Sequence, residues 1–158
     1  MARFDPAEAS VLIAAARADA GLTQAALAER VGISQPNLAA MERGSRIPST
    51  AMLERVLEAA DYRPSVALVL HREDVRAAAT SRGLTDVRVF GSMVRGDDHF
   101  DSDIDLFVNG GAGAGLMSAG AFAAAVERLT GFPVDVIAEE SAAKTSLGST
   151  LLATAVPL

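Results

Sequence analysis

Over the first sixty positions apolar residues recur three and four apart, and each run is closed by a glycine or a proline. Residues 7–20 follow that spacing and stop at Gly21. Thr23 opens a short run to Arg30 that Gly32 ends, and Ser34 opens another that reaches Arg43 before Gly44. Hydroxyl residues before a run and glycine after it are start and stop signals of helices, because the first satisfies free amides and the second turns left-handed at no steric cost. Pro36 is compatible with its helix, since it falls in the first turn where no amide donor is required. A further helix begins near Ser49 and is broken by Tyr62, Arg63 and Pro64, and a connecting helix that serves the second domain is expected over residues 66–82, ended by Gly83. The pattern predicts an all-α, five-helix bundle to about residue 65.

Beyond residue 83 the period changes. A short β run at 87–90 and a second at 104–109 precede a helix expected over 118–129; Gly131, Phe132 and Pro133 then turn the chain into an alternating strand at 134–137. The fold class is therefore α followed by α/β with a mixed sheet. The expected domains are 1–65 and 66–158. With 158 residues, half of them hydrophobic, the chain can bury two small cores. The glycine- and alanine-rich segment 110–115 is expected to be a loop, either a linker or a cover for a bound ligand.

The densest chemistry lies in GSMVRGDDHFDSDID, residues 91–105: Gly91 and Ser92, ten spacers, then Asp103 and Asp105. The first β run delivers the chain to the Gly-Ser turn, where amides at a helix start can hold phosphate oxygens. Asp103 and Asp105 are two apart at a strand start and project from one face. Carboxylates so placed repel, and a divalent cation between them removes the conflict. Asp135 supplies a third carboxylate, flanked by apolar strand residues among which it is costly to bury without a cation or donor. Asp97, Asp98 and Asp101 are expected to decorate the connecting loop and are not counted as ligands.

This pattern, GSx10DxD with Arg95 and Gly96 inside it and VDV further on, resembles the nucleotidyltransferases of the DNA polymerase beta superfamily, most closely the minimal single-domain kind. The resemblance implies in-line attack of a hydroxyl on the α-phosphate of a nucleoside triphosphate, ATP above all, with pyrophosphate leaving. It implies two Mg2+ ions, one held by Asp103, Asp105 and Asp135 and the other by Asp103 and Asp105, with Gly91, Ser92 and Arg95 binding the phosphates.

The string GLTQAALAERVGISQPNLAAMERGSRIPS, residues 21–49, is similar to the helix-turn-helix of phage-repressor-type (XRE) regulators. In that family the helix opening at Ser34 lies in the major groove. The resemblance puts Gln35, Pro36 and Asn37 nearest base edges, with Ala40 one turn later, and gives Gln24, Arg43 and Arg46 to phosphates. Gln35 can pair with adenine through two hydrogen bonds. Arg17 and Glu42 match a structural ion pair, and Leu27, Val31, Ile33, Leu38 and Met41 a small core. A helical domain that only dimerises or docks a partner is the alternative.

Charge refines the assignment. Residues 1–65 hold seven arginines against eight acids, a net −1, and residues 66–158 hold seven basic against twelve acidic residues, a net −5. An acidic second half suits metal better than nucleic acid, so operator DNA is assigned to the first domain alone, as a homodimer on an inverted repeat, with salt-sensitive affinity. The chain has no cysteine, which removes disulfides and thiolate metal sites and fits a cytoplasmic protein; no apolar run reaches membrane-spanning length. His71 and His99 lack metal-ligand spacing and receive no role. Only 23 residues follow Asp135, too few for a domain that would hold an acceptor, so the acceptor is expected to be a protein. The resembled minimal nucleotidyltransferases are chiefly antitoxins that transfer AMP to a hydroxyl of a partner toxin such as a HEPN-type ribonuclease, and fusion to a repressor-like domain suits control of their own operon. The competing class is a regulator whose transferase-like domain binds nucleotide or partner without turnover.

Overall fold

The computed structural model describes residues 2–110 and 116–158, so most of the expected glycine loop lies outside the described residues. The chain forms two compact units, Met1–Leu70 and His71–Leu158. The change of unit thus falls five residues beyond the expected position.

The first unit is all helical. After a 3-10 turn at Pro6–Glu8 come α1 (Ala9–Asp19), α2 (Gln24–Val31), α3 (Gln35–Glu42), α4 (Thr50–Ala59) and α5 (Pro64–Leu70). Thr23 Oγ1 accepts the Ala26 amide at 3.1 Å, so the cap expected there is made, and Ser49 Oγ caps α4 by accepting the Met52 amide at 3.3 Å. Ser34 occupies the cap position of α3 with extended backbone, but its hydroxyl makes no cap bond there. Gly32, at φ +74°, closes α2 in the left-handed conformation that the turn into α3 demands. α1 buries Ala9, Leu12, Ile13 and Ala16 and packs on α3 and α4, as does α2 with Leu27, Ala28 and Val31. Phe4 and Tyr62 complete this core edge to face, ring centroids 5.7 Å apart.

The second unit comprises α6 (Arg72–Thr80), β1 (Leu84–Phe90), α7 (Ser92–Arg95), β2 (Ile104–Gly110), α8 (Leu116–Thr130), β3 (Val134–Ala138), α9 (Glu139–Ala142), α10 (Ser146–Thr154) and β4 (Val156–Pro157). The expected helix over 66–82 is two helices, broken at His71, where the compact unit also changes. Each has its own buried stripe, Ala67 and Leu68 in α5 and Val75 and Ala79 in α6, and no proline or glycine marks the break.

The sheet is mixed, in the order β3-β2-β1-β4, with β2 and β3 parallel and the other pairs antiparallel. The parallel pair requires a crossover, which α8 supplies while packing on β3. Because side chains alternate, β2 offers Ile104, Leu106 and Val108 to one face and Asp105, Phe107 and Asn109 to the other. The first three are at most 1% exposed. On the other face Phe107 stacks on Phe90, centroids 4.0 Å apart, and α9 and α10 cover them with Ala142, Leu151 and Leu152. Arg88 and Glu139 fix that cover. Arg88 Nη2 donates to the Leu152 and Ala155 carbonyls at 3.2 and 2.9 Å, and Asn109 Nδ2 donates to Glu139 Oε2 at 3.0 Å.

Candidate active site and nucleic-acid interface

The acids meet through strand register. β2 and β3 run parallel with Asp105 opposite Asp135, and in the antiparallel pair Phe90 faces Asp105. Asp105 therefore stands between Asp135 on one side and the end of β1 on the other, and Asp103 precedes it by two residues. Burial raises the pKa of the Asp105 carboxyl, the charges of Asp135 and then Asp103 raise it further, and Arg95 pulls it back. Asp103 and Asp135, both exposed, thus act on the half-buried Asp105 carboxylate, as does Arg95. Among the described residues, however, no three His, Cys, Asp or Glu side chains are gathered into a set that could hold a metal ion. Like charges on neighbouring strands favour side-chain arrangements that keep them apart. The donor set itself fits a hard divalent cation, being all carboxylate oxygen, with an unfavourable charge density that such an ion relieves.

Gly91 has a role that reading the sequence did not assign. It links β1 to α7 at φ +75° and ψ −143°, a conformation that only glycine adopts readily, and a Cβ there would overlap Asp105 Oδ2. The carboxylate of Asp105 lies against the bare Cα of Gly91, which couples the first residue of the GSx10DxD pattern physically to the last. Ser92 begins α7, whose first-turn amides have no partners within that helix. Arg95 ends α7 and pairs with Asp97, Nε to Oδ2 at 3.2 Å, both side chains more than half exposed.

The connecting loop departs from expectation at one residue. Asp97 and Asp101 are exposed, but Asp98 is 1% exposed and Phe100 beside it is buried, so this part of the loop folds inward rather than decorating the surface. Nothing in the run of acids distinguishes Asp98, because burial here depends on tertiary packing and not on a period.

In the helical unit, α3 carries Gln35, Pro36, Asn37 and Ala40; the first two are exposed and the others half-buried. The Arg17–Glu42 pair forms as expected, Nε to Oε1 at 2.5 Å and Nη2 to Oε2 at 3.1 Å. Burial works to raise the Glu42 pKa, but hydrogen bonds from Arg17 and Gln24 with the Arg17 charge prevail and lower it. The pair extends further than the sequence indicates. Gln24 Nε2 donates to Glu42 Oε2 at 2.8 Å, and Gln35 Nε2 donates to Gln24 Oε1 at 2.9 Å. An amide that donates at one end must accept at the other, so Glu42 sets the orientation of Gln24 and Gln24 that of Gln35. Gln35 keeps its carbonyl oxygen and a second amide hydrogen, the pair that matches adenine in the major groove. Arg46 Nη1 donates to Asn37 Oδ1 at 2.9 Å, which ties the loop after α3 to its exposed side, and Arg43 is exposed.

Two family models match the chain, a helix-turn-helix over residues 13–66 and a nucleotidyltransferase domain over residues 71–153. A solved structure described as a minimal nucleotidyltransferase is 34% identical, with a TM-score of 0.52, and the match covers 60% of this chain and 95% of that one. No curated protein matches. No single helix among the described residues is long and apolar enough to cross a membrane. The matched spans fall one within each compact unit and contain the acids and α3, and the chain accordingly belongs to the nucleotidyltransferase family, with an XRE-type helix-turn-helix domain ahead of the transferase domain.

Proposed function

We propose that the chain transfers AMP from ATP to a hydroxyl of a partner protein, a toxin whose operon it also represses by binding operator DNA as a homodimer. The observation that carries the reading is the register of Asp105 with Asp135 beneath the Gly91 turn, with Asp103 alongside. Asp103, Asp105 and Asp135 would hold Mg2+, which when bound lowers the pKa of the attacking hydroxyl and neutralises the triphosphate. The first-turn amides at Ser92 and the Arg95 guanidinium would orient the phosphates so that the acceptor oxygen bonds to the α-phosphorus in line with the departing pyrophosphate. The hydroxyl proton leaves to solvent or to a neighbouring carboxylate. The protein nature of the acceptor rests on the resemblance to minimal nucleotidyltransferases, and the cytoplasmic setting on the absence of cysteine.

The spread of the three carboxylates favours a second reading, a DNA-binding regulator whose transferase domain binds nucleotide without turnover. One experiment separates the two. The purified chain, Mg2+ and α-labelled ATP are incubated with the product of the adjacent reading frame, beside Asp105→Asn and Gly91→Ala. Label should appear on the partner with the wild-type chain and vanish with both variants, the second because a methyl at Gly91 displaces Asp105. Label on the partner from Asp105→Asn would refute the site, and nucleotide binding without label on any protein would favour the regulator.

A further inference from the structure

The sheet face that carries the acids continues into an apolar groove. Residues two apart on a strand share a face and lie about 6.4–6.8 Å apart. Phe107 is two beyond Asp105 and Ile137 two beyond Asp135, and the parallel register sets Phe107 opposite Ile137 just as it sets the two acids opposite each other. Over this second row lie α9 and the first turns of α10. Between them and the sheet is a groove of about 240 Å³ lined by Phe107, Ile137, Leu147 and Leu151 with the hydroxyls of Ser141 and Thr145, and with no charged side chain in its lining. Leu147 is 70% exposed and Ile137 37%. Gly148 shapes the groove, because a Cβ there would overlap the Ala142 carbonyl; its absence lets the start of α10 close directly on the end of α9.

We propose that this groove holds the base of the nucleoside triphosphate whose phosphates the acids and the Gly91 turn engage, an inference that rests on the nucleotidyltransferase reading above. A nucleotide joins a charged phosphate chain to a planar base with apolar faces through one sugar. A protein that binds it must set an apolar slot one sugar's length from its phosphate chemistry, on a continuous surface. The two rows of this sheet face have that order: carboxylates first, then an apolar row in which Phe107 is the buried floor and Ile137, with Leu147 and Leu151 of α10, is the accessible wall. Since the lining is uncharged and mostly apolar, the base is held chiefly by the area of its faces, with only the Ser141 and Thr145 hydroxyls near its edge. Purines therefore bind more tightly than pyrimidines, with little discrimination among purines.

Calorimetric titration of the full chain in the presence of Mg2+ with ATP, CTP and inorganic tripolyphosphate tests this, using Leu147→Ser and Ile137→Thr. Both positions are exposed enough to change without opening the core, and thermal unfolding followed by circular dichroism verifies the fold. Each variant should weaken ATP about tenfold, the order expected for lost apolar burial, narrow the gap between ATP and CTP, and leave tripolyphosphate unchanged. Wild-type affinity for ATP in both variants, with tripolyphosphate still bound, would overturn the groove as the base site and leave the acid site standing. Equal losses for ATP and tripolyphosphate would also overturn it, since the residues would then support the phosphate site. Failure of the wild-type chain to bind any of the three probes would remove the nucleotidyltransferase reading, and the groove with it.

Discussion

Glu42 stabilises its unit through charge and also sets the direction of a chain of amides ending at Gln35. Its pKa is lowered in the folded state. A carboxylate of that kind contributes stability that is fully present above the ordinary carboxylate range and is lost as the pH falls through its own lower value, because the folded state then has to take up the proton it had excluded. Glu42→Gln keeps the shape and removes the charge. In urea unfolding the variant should therefore be less stable than wild type at neutral pH, with the gap closing as the pH falls below the ordinary carboxylate range. A gap independent of pH would mean that packing and not the Arg17 pair carries the effect. Polarity along the amides adds a second consequence. Since Gln24 can orient Gln35 only while its own amide nitrogen is held, we propose that Gln35 contacts a base edge and expect Glu42→Gln to reduce the preference among bases at one position of the site as well.

The α9 and α10 pair holds the second unit together on the acid face. It covers the Phe90–Phe107 stack, and Arg88 anchors it by donating to the Leu152 and Ala155 carbonyls while facing Glu139 at 3.6 Å. Phe107 is fully buried at the centre of this contact. Phe107→Ala should cost about 3–5 kcal/mol, the range for deleting a packed aromatic ring, measured as the shift in urea midpoint multiplied by the slope. A loss below about 1 kcal/mol would show that α9 and α10 hold the sheet by their polar anchors alone. These two helices and β4 were not legible in the sequence. Residues 139–158 are short stretches of alanine, serine, threonine and leucine with no sustained period, and β4 is two residues long and pairs with Arg88 and Val89 of the distant β1. By contrast α1 to α4, α8 and the first three strands carry their own period and turn signals, and they form where those signals stand, with ends that move by one to three residues.

Two compact units with separate cores divide the work, DNA binding ahead of nucleotide chemistry. Residues 1–70 expressed alone should fold cooperatively and retain preference for operator over scrambled DNA in a gel shift, since the core of that unit is drawn from its own five helices. An unfolded fragment would show that the helical unit depends on the rest of the chain. The local code accounts for much of this organisation: apolar period, caps and glycine stops specify elements from neighbours a few residues away, and the spacing of Gly91, Asp103, Asp105 and Asp135 announces a site before any fold is known. Other features were decided by tertiary structure. They include the opposition of Asp105 and Asp135, the contact of Asp105 with Gly91, the burial of Asp98, the break at His71, the link from Glu42 through Gln24 to Gln35, and the groove beside the acids. Each depends on which distant segments pair and in what register, and a one-residue slip would turn every side chain of a strand to the other face without altering its local pattern. Periodicity is a property of a segment, whereas register and packing belong to the set of segments that meet.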